Sequence, residues 1–301
     1  MKSLPIPLSA LLFLAGCASV PQPDPWQAVP MLAALPAACA GDAEAPVMPG
    51  GLGIIRSEGR DVLLAALCGC VMTIDVDSGT AELLPTHGDA IAPTMLDVAG
   101  NGIAFSSSLS GSVRVIDAGG AISLNVSGLQ QPRGLRLLPG GDVLVAEAGA
   151  GRVLRLGPGP DSRPRLVADG LDQPCGLLVA DATQAFVTES AGGRLLRIRL
   201  DSNERQTIAR GLDQPQGIAR MADGRLAIVE AGKQRLLAVD SRSGNTEVLA
   251  SGLPILQTGD PTAHPHAVAD VTAAPDGRLF VSANATRTIL ELRPRPAPAT
   301  R

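Results

Sequence analysis

Apolar and polar positions in this chain alternate in short runs. Arg152-Val153-Leu154-Arg155-Leu156, Arg194-Leu195-Leu196-Arg197-Ile198 and Arg235-Leu236-Leu237-Ala238-Val239 read as half-buried strands, because successive strand side chains point to opposite faces. Each follows a denser apolar run that ends in an acid: Val143 to Glu147, Ala185 to Glu189 and Leu226 to Glu230. Turn residues such as Gly140-Gly141 and Asp223-Gly224 separate the runs and predict tight connections. A further short strand is predicted after several of these pairs, at Ala81–Leu84, Arg165–Val167, Thr207–Ile208 and Glu247–Leu249.

The whole pattern then repeats. Gly128-Leu129-Gln130-Gln131-Pro132-Arg133-Gly134 returns as Gly170-Leu171-Asp172-Gln173-Pro174-Cys175-Gly176 and as Gly211-Leu212-Asp213-Gln214-Pro215-Gln216-Gly217. Part of it recurs at Gly252-Leu253-Pro254, the first Gly falling 42, 41 and 41 residues apart. A fixed period of this size means one supersecondary unit copied side by side. Copies of the central strand pair run over 62–74, 103–116, 143–156, 185–198, 226–239 and 279–292. Four short strands per period make a propeller blade. The expected fold is therefore all-β, a six-bladed β-propeller with four-stranded antiparallel blades over residues 31–293. The sixth copy meets Pro294, Pro296 and Pro298 before any fourth strand of its own. An N-terminal strand at Met31–Pro36 is expected to supply it and hide the open sheet edges. Residues 294–301 read as a disordered Pro-rich tail.

Composition narrows the partners. The net charge is −4 and Arg is scattered singly, so no basic stripe offers itself to nucleic acid. Aromatic content is 2 %, with Trp26 the sole Trp and no Tyr, which leaves few flat rings for sugars or bases. At the N-terminus, Lys2 and an apolar run from Leu4 to Leu14 look like a secretory signal, too short to span a bilayer. Leu14-Ala15-Gly16-Cys17 resembles the bacterial lipobox. That resemblance implies a signal peptide over 1–16, acylation of Cys17 with palmitate-type chains, and a membrane anchor. Ala18 after the Cys implies an outer-membrane lipoprotein facing the periplasm. Residues 17–30, stiffened by Pro21, Pro23, Pro25 and Pro30, read as a tether. A bridge between Cys68 and Cys70 would be strained at that separation, which leaves Cys39–Cys68 or Cys39–Cys70.

Val145-Ala146-Glu147-Ala148-Gly149-Ala150-Gly151-Arg152-Val153 resembles the core of the NHL repeat. With the Gly-Leu-x-x-Pro-x-Gly phrase it is similar to the superfamily of gluconolactonase-like and strictosidine-synthase-like six-bladed propellers. The family's activities do not carry over residue by residue. Gluconolactonase-like enzymes hold a metal with a Glu in an early Glu-Gly-Pro-x-Trp phrase that this chain lacks. It also lacks the Glu–His pair of streptogramin-lyase-like propellers.

Three sets of residues are candidates for chemistry. Glu147, Glu189 and Glu230 occupy equivalent places on adjacent blades. Together they have the ligand type for a divalent cation such as Ca²⁺; separately, each can pair with the Arg five residues on (Arg152, Arg194, Arg235). An insertion between Gly252 and Asp276 carries His264 and His266, which with Asp260 or Asp270 have the chemistry of a metal site or general base. Arg133, Cys175 and Gln216 share one slot near the mouth of the axis, where Arg133 suits an anionic group and Cys175 reads as a small buried thiol. The function expected is a periplasm-facing, lipid-anchored binding or scaffold module. Its protein or small-molecule ligand would sit on the top face, among Arg133, Gln216, the three Glu and the two His. The alternative is a metal-dependent lactonase or hydrolase of the gluconolactonase-like kind.

Overall fold

A computed structural model describes residues 24–31, 49–67, 70–84, 93–100, 102–117, 119–159, 163–257 and 268–295. Among them the chain forms strands and a single 3-10 turn at Ala231–Lys233. β1 is Trp26–Pro30. Blade 1 holds β2 (Pro49–Ser57), β3 (Arg60–Leu67), β4 (Cys70–Asp75) and β5 (Ala81–Leu84). Blade 2 holds β6 (Met95–Ala99), β7 (Gly102–Ser107), β8 (Ser112–Ile116) and β9 (Ile122–Val126). Blade 3 holds β10 (Pro132–Leu137), β11 (Val143–Glu147), β12 (Arg152–Leu156) and β13 (Arg165–Ala168). Blade 4 holds β14 (Pro174–Val179), β15 (Gln184–Glu189), β16 (Arg194–Arg199) and β17 (Arg205–Arg210). Blade 5 holds β18 (Pro215–Arg220), β19 (Leu226–Glu230), β20 (Arg235–Val239) and β21 (Thr246–Ala250). Blade 6 holds β22 (Val271–Ala273), β23 (Leu279–Ala283) and β24 (Thr288–Pro294), with β1 as its fourth strand. The fold is a six-bladed β-propeller, as the period predicts.

The innermost strands touch in turn from β2 through β6, β10, β14, β18 and β22 back to β2, which closes the ring. The second strand of each blade lies between two neighbouring blades, and this explains its unbroken apolar run. Val143 and Val145 pack with Met95, Ala104 and Val113 of blade 2, while Leu144 and Ala146 pack with Leu177 and Val187 of blade 4. Each Val, Leu or Met among them contributes roughly 1.5–3 kcal/mol through burial.

The Pro-x-Gly part of the repeated phrase starts each inner strand of blades 3 to 5. A Cβ on Gly134 would overlap the Cys175 carbonyl oxygen, and one on Gly176 would overlap that of Gln216. Only glycine lets these inner backbones come so close. Register slips by one residue between Pro132 and Leu135, Pro174 and Leu177, and Pro215 and Ile218, and again between Pro49 and Leu52. These are β-bulges, which re-aim the side chains they carry.

Closure comes from the N-terminus, but earlier than expected. β1 pairs antiparallel with β24, from Trp26 opposite Pro294 to Pro30 opposite Leu290, and the Met31 N–H adds a bond to the Ile289 carbonyl (2.8 Å). The expected strand at Met31–Pro36 thus gives way to Trp26–Pro30, which the sequence reading assigned to the tether; residues 32–36 lie outside the described residues. The reason is physical. An outermost strand is recruited by backbone pairing, and β1 leaves four of its five residues exposed, so an apolar pattern does not mark it.

Candidate functional site

The three repeated acids are fully buried, and each works alone. Glu147 accepts the Gln130 N–H (2.6 Å), Glu189 the Asp172 N–H (2.9 Å) and Glu230 the Asp213 N–H (2.8 Å). The other oxygen of each takes the Arg five residues on: Glu147 with Arg152 (2.6 Å), Glu189 with Arg194 (2.5 Å) and Glu230 with Arg235. Lys233 also reaches Glu230 (3.2 Å). Burial opposes ionisation of Glu230, but its bonds from Arg235, Asp213 and Lys233 outweigh this and hold its carboxyl below the usual range. The N–H groups they cap belong to the repeated phrase, whose Gln131, Gln173 and Gln214 adopt left-handed backbone (φ 49°, 51° and 49°). Their carbonyls accept the N–H groups of Ala148, Ser190 and Ala231. The phrase is therefore a clamped connection between blades.

Each carboxylate of the trio is thus engaged within its own blade, in the Arg pairing that the sequence spacing allows. Among the described residues no group of three or more His, Cys, Asp and Glu is arranged to hold a metal. His264, His266, Asp260, Cys17, Cys39 and Cys68 lie outside the described residues. Cys70 is disulfide-bonded, and Cys175 is free and buried.

Arg133, Cys175 and Gln216 do share one slot, in the bulges of β10, β14 and β18. All three are buried rather than open to the top face. Gln216 Oε1 accepts the Ala269 N–H (2.6 Å), which ties blade 5 to blade 6. Burial pushes the Cys175 thiol up, while the neighbouring Arg133 guanidinium pulls it down. Arg133 Nε is enclosed without a hydrogen-bond partner.

Further along the inner strands lies a set of which the sequence singles out only Asp270, there as a companion to His264 and His266. Asp270 stands where blades 1, 3, 4 and 5 carry Gly51, Gly134, Gly176 and Gly217. Its carboxylate touches both neighbouring blades: Oδ2 accepts the Leu52 N–H of blade 1 (2.9 Å), and Oδ1 lies against Gly217 of blade 5 with no partner. Burial pushes Asp270 up to about 6, against the pull of Arg136. In the next slot, blades 2 and 3 carry Asp97 and Arg136, 3.9 Å apart. Burial also raises Asp97, opposed by Arg136 and by the Leu137 N–H that Oδ2 accepts (2.7 Å). Asp97 and Arg136 line an axial cavity of about 190 Å³. The signal was present in the copies: a carboxylate where the repeat has Gly, and opposite charges at equivalent places on adjoining blades.

No family model matches the chain, and no curated protein matches it by sequence. Solved structures match in shape. A streptogramin B lyase superposes with a TM-score of 0.61 at 14 % identity, over 90 % of this chain and 98 % of that one. A gluconolactonase from Xanthomonas campestris gives 0.61 at 18 % identity, over 84 % and 88 %. A nidogen–laminin complex gives 0.55 at 16 % identity, over 66 % and 79 %. The likeness is one of fold, and at this identity fold does not carry activity.

Proposed function

We infer that the chain is a lipid-anchored binding or scaffold propeller, held by an acylated Cys17 on the periplasmic side of a bacterial outer membrane, with a protein or small-molecule ligand on its top face. One observation carries the inference. The acidic side chains that metal-assisted hydrolysis would use at the mouth are each occupied by a guanidinium and a backbone N–H of their own blade. The spacing suits such an anchor: residues 18–25 separate Cys17 from β1, a reach of at most ~32 Å at 3.3–3.6 Å per residue. The ring would then stay close to the surface that holds it.

The test is capture from cross-linked cell envelopes with the Cys17 form, alongside palmitate labelling and a lactone panel. A saturable partner, label lost in Cys17→Ser and no lactone turnover are the expected results. Lactone turnover with a stoichiometric divalent ion would overturn the inference. It would favour the second reading, a metal-dependent lactonase with Glu147, Glu189 and Glu230 near a cation such as Ca²⁺. That reading draws on the shared fold with the Xanthomonas gluconolactonase.

A further inference from the structure

Where the connections between blades enter the ring, each inner strand starts through one equivalent slot, held by Gly50, Thr94, Arg133, Cys175, Gln216 and Ala269 on blades 1 to 6. All six are buried, and Arg133, 3 % exposed, is the only Lys or Arg buried among the described residues. Arg136, Arg152 and Arg155 of the same blade each face a carboxylate, on Asp97, Glu147 and Asp142. Arg133 makes no ion pair among the described residues, and its Nε is enclosed without a partner. The Cys175 sulfur beside it is a weak acceptor, and burial keeps that thiol protonated, so it supplies no compensating charge. A buried cation in that state is costly, and it calls for an anion. The other polar slot residues have donors to spare. Gln216 spends Oε1 on the Ala269 N–H (2.6 Å), which leaves its Nε2, and Thr94 Oγ1 accepts the Ser108 N–H (2.9 Å), which leaves its proton. No slot residue is an acid. Across the axis from blade 3, blades 6 and 1 bring only Ala269 and Gly50, nothing larger than a methyl.

We propose that Arg133 receives the carboxylate of a small-molecule ligand at this mouth of the axis, with the Gln216 amide and the Thr94 hydroxyl as further donors. The proposal rests on the top-face binding inferred above and names its ligand class. A guanidinium fork matches a carboxylate, and one buried cation balances one negative charge, whereas a dianionic phosphate would leave an excess. The 3 % exposure of Arg133 admits a small head group and excludes the surface of a folded partner. The charge is also particular to blade 3. Blades 4 and 5, which share its phrase and its bulge, carry neutral Cys175 and Gln216 in the same slot, so the repeat itself does not require an Arg there.

Titration of arginine-labelled protein with acetate, followed by NMR at constant ionic strength, tests the proposal, with acetamide as the neutral isostere. The Arg133 Nε–H signal, identified by its loss in Arg133→Lys, should shift saturably with acetate and stay in place with acetamide. Acetate methyl linewidths then give the affinity of the variants. Arg133→Lys keeps the charge but loses the fork, and should bind about 10- to 100-fold more weakly, the worth of one charge-assisted hydrogen bond. Gln216→Glu can keep the Ala269 bond while placing a carboxylate in the slot, and should abolish acetate binding, which covers the case of a misfolded Arg133 variant. The proposal is overturned by no saturable shift in the wild type, by an equal response to acetamide, or by acetate affinity unchanged in both variants. A captured protein that acetate displaces would put the carboxylate on a macromolecule and overturn the small-molecule assignment. Envelope capture and palmitate labelling involve no added carboxylate, so the anchored top-face reading and this site can fail separately.

Discussion

Blades 3 to 5 and blades 2 and 6 solve one problem, tying the incoming connection to its blade, with different chemistry. In the first group a buried Glu caps a backbone N–H and is neutralised by its own Arg, three times over. In blade 6 a neutral Asn284 does the capping, accepting the Leu256 N–H (2.8 Å). In blade 2 hydroxyls take over: Thr94 Oγ1 accepts the Ser108 N–H (2.9 Å), and Ser108 Oγ donates to the Pro132 carbonyl (2.7 Å). Repetition of the charged version therefore marks architecture. The positions with individual chemistry are those where a copy departs from its siblings, as Asp270 does where four blades have Gly.

The ring seam should dominate any perturbation. Deleting residues 24–31 leaves the edge of β24 unpaired and should lower Tm by roughly 10 °C or more, about what a 4 kcal/mol loss does to a domain of this size. Calorimetry checks this, and a shift of a degree or two would mean that β1 merely decorates the ring. Next comes the contrast between clamps. Glu230→Ala leaves Arg235 and Lys233 facing an unfilled partner and should cost about 3–5 kcal/mol in urea unfolding. Asn284→Ala leaves one neutral N–H unpaired and should cost about 1–2 kcal/mol. Equal costs would erase the distinction between charged and neutral clamps.

Asp270 and Glu230 should also respond to pH with opposite signs. Asp270 has a folded pKa of about 6, above its unfolded value of 3.8, so the stability it contributes is fully present below 3.8 and lost as pH rises through about 6. That difference is worth on the order of 3 kcal/mol. Asp270→Asn should therefore stabilise the protein at pH 7.5 and flatten its profile between pH 4 and 7. Glu230 is lowered from 4.5, so its contribution is present above that value and fades as pH falls through the folded pKa. Stability measured across pH 3–8 in the two variants separates them. The smallest effect is expected at Cys175, buried and with its thiol pushed up, which should resist maleimide in the native protein and react only on unfolding. Labelling of native Cys175, read by peptide mass spectrometry, would place it on an open face.

The blades were legible because period, turn residues and strand alternation all agree, from Val143–Leu156 to Leu279–Leu292. β1 was misplaced because its selection rests on backbone groups and leaves no side-chain pattern. The bulges at Arg133, Cys175 and Gln216 were illegible for a similar reason: Pro-x-Gly looks like a turn whether or not the register slips. Glu147, Glu189 and Glu230 were found as a set, yet position along a strand does not tell which way a carboxylate faces. Asp97 and Arg136 went unnoticed, and Asp270 was set beside His264 and His266 rather than beside them, because only ring closure brings blade 6 next to blades 1 to 3 around one axis.

Pairing Trp26 with Pro294 gives this molecule an order of events as well as a shape. Until β24 exists, β1 has no partner within its own chain. Intermediate blades can stack on one another meanwhile, but the circle stays a horseshoe with two sticky ends. A truncated product would thus carry both an orphaned first strand and a gap shaped to receive one from another molecule. Faithful completion of β24 is what keeps each chain bound to itself.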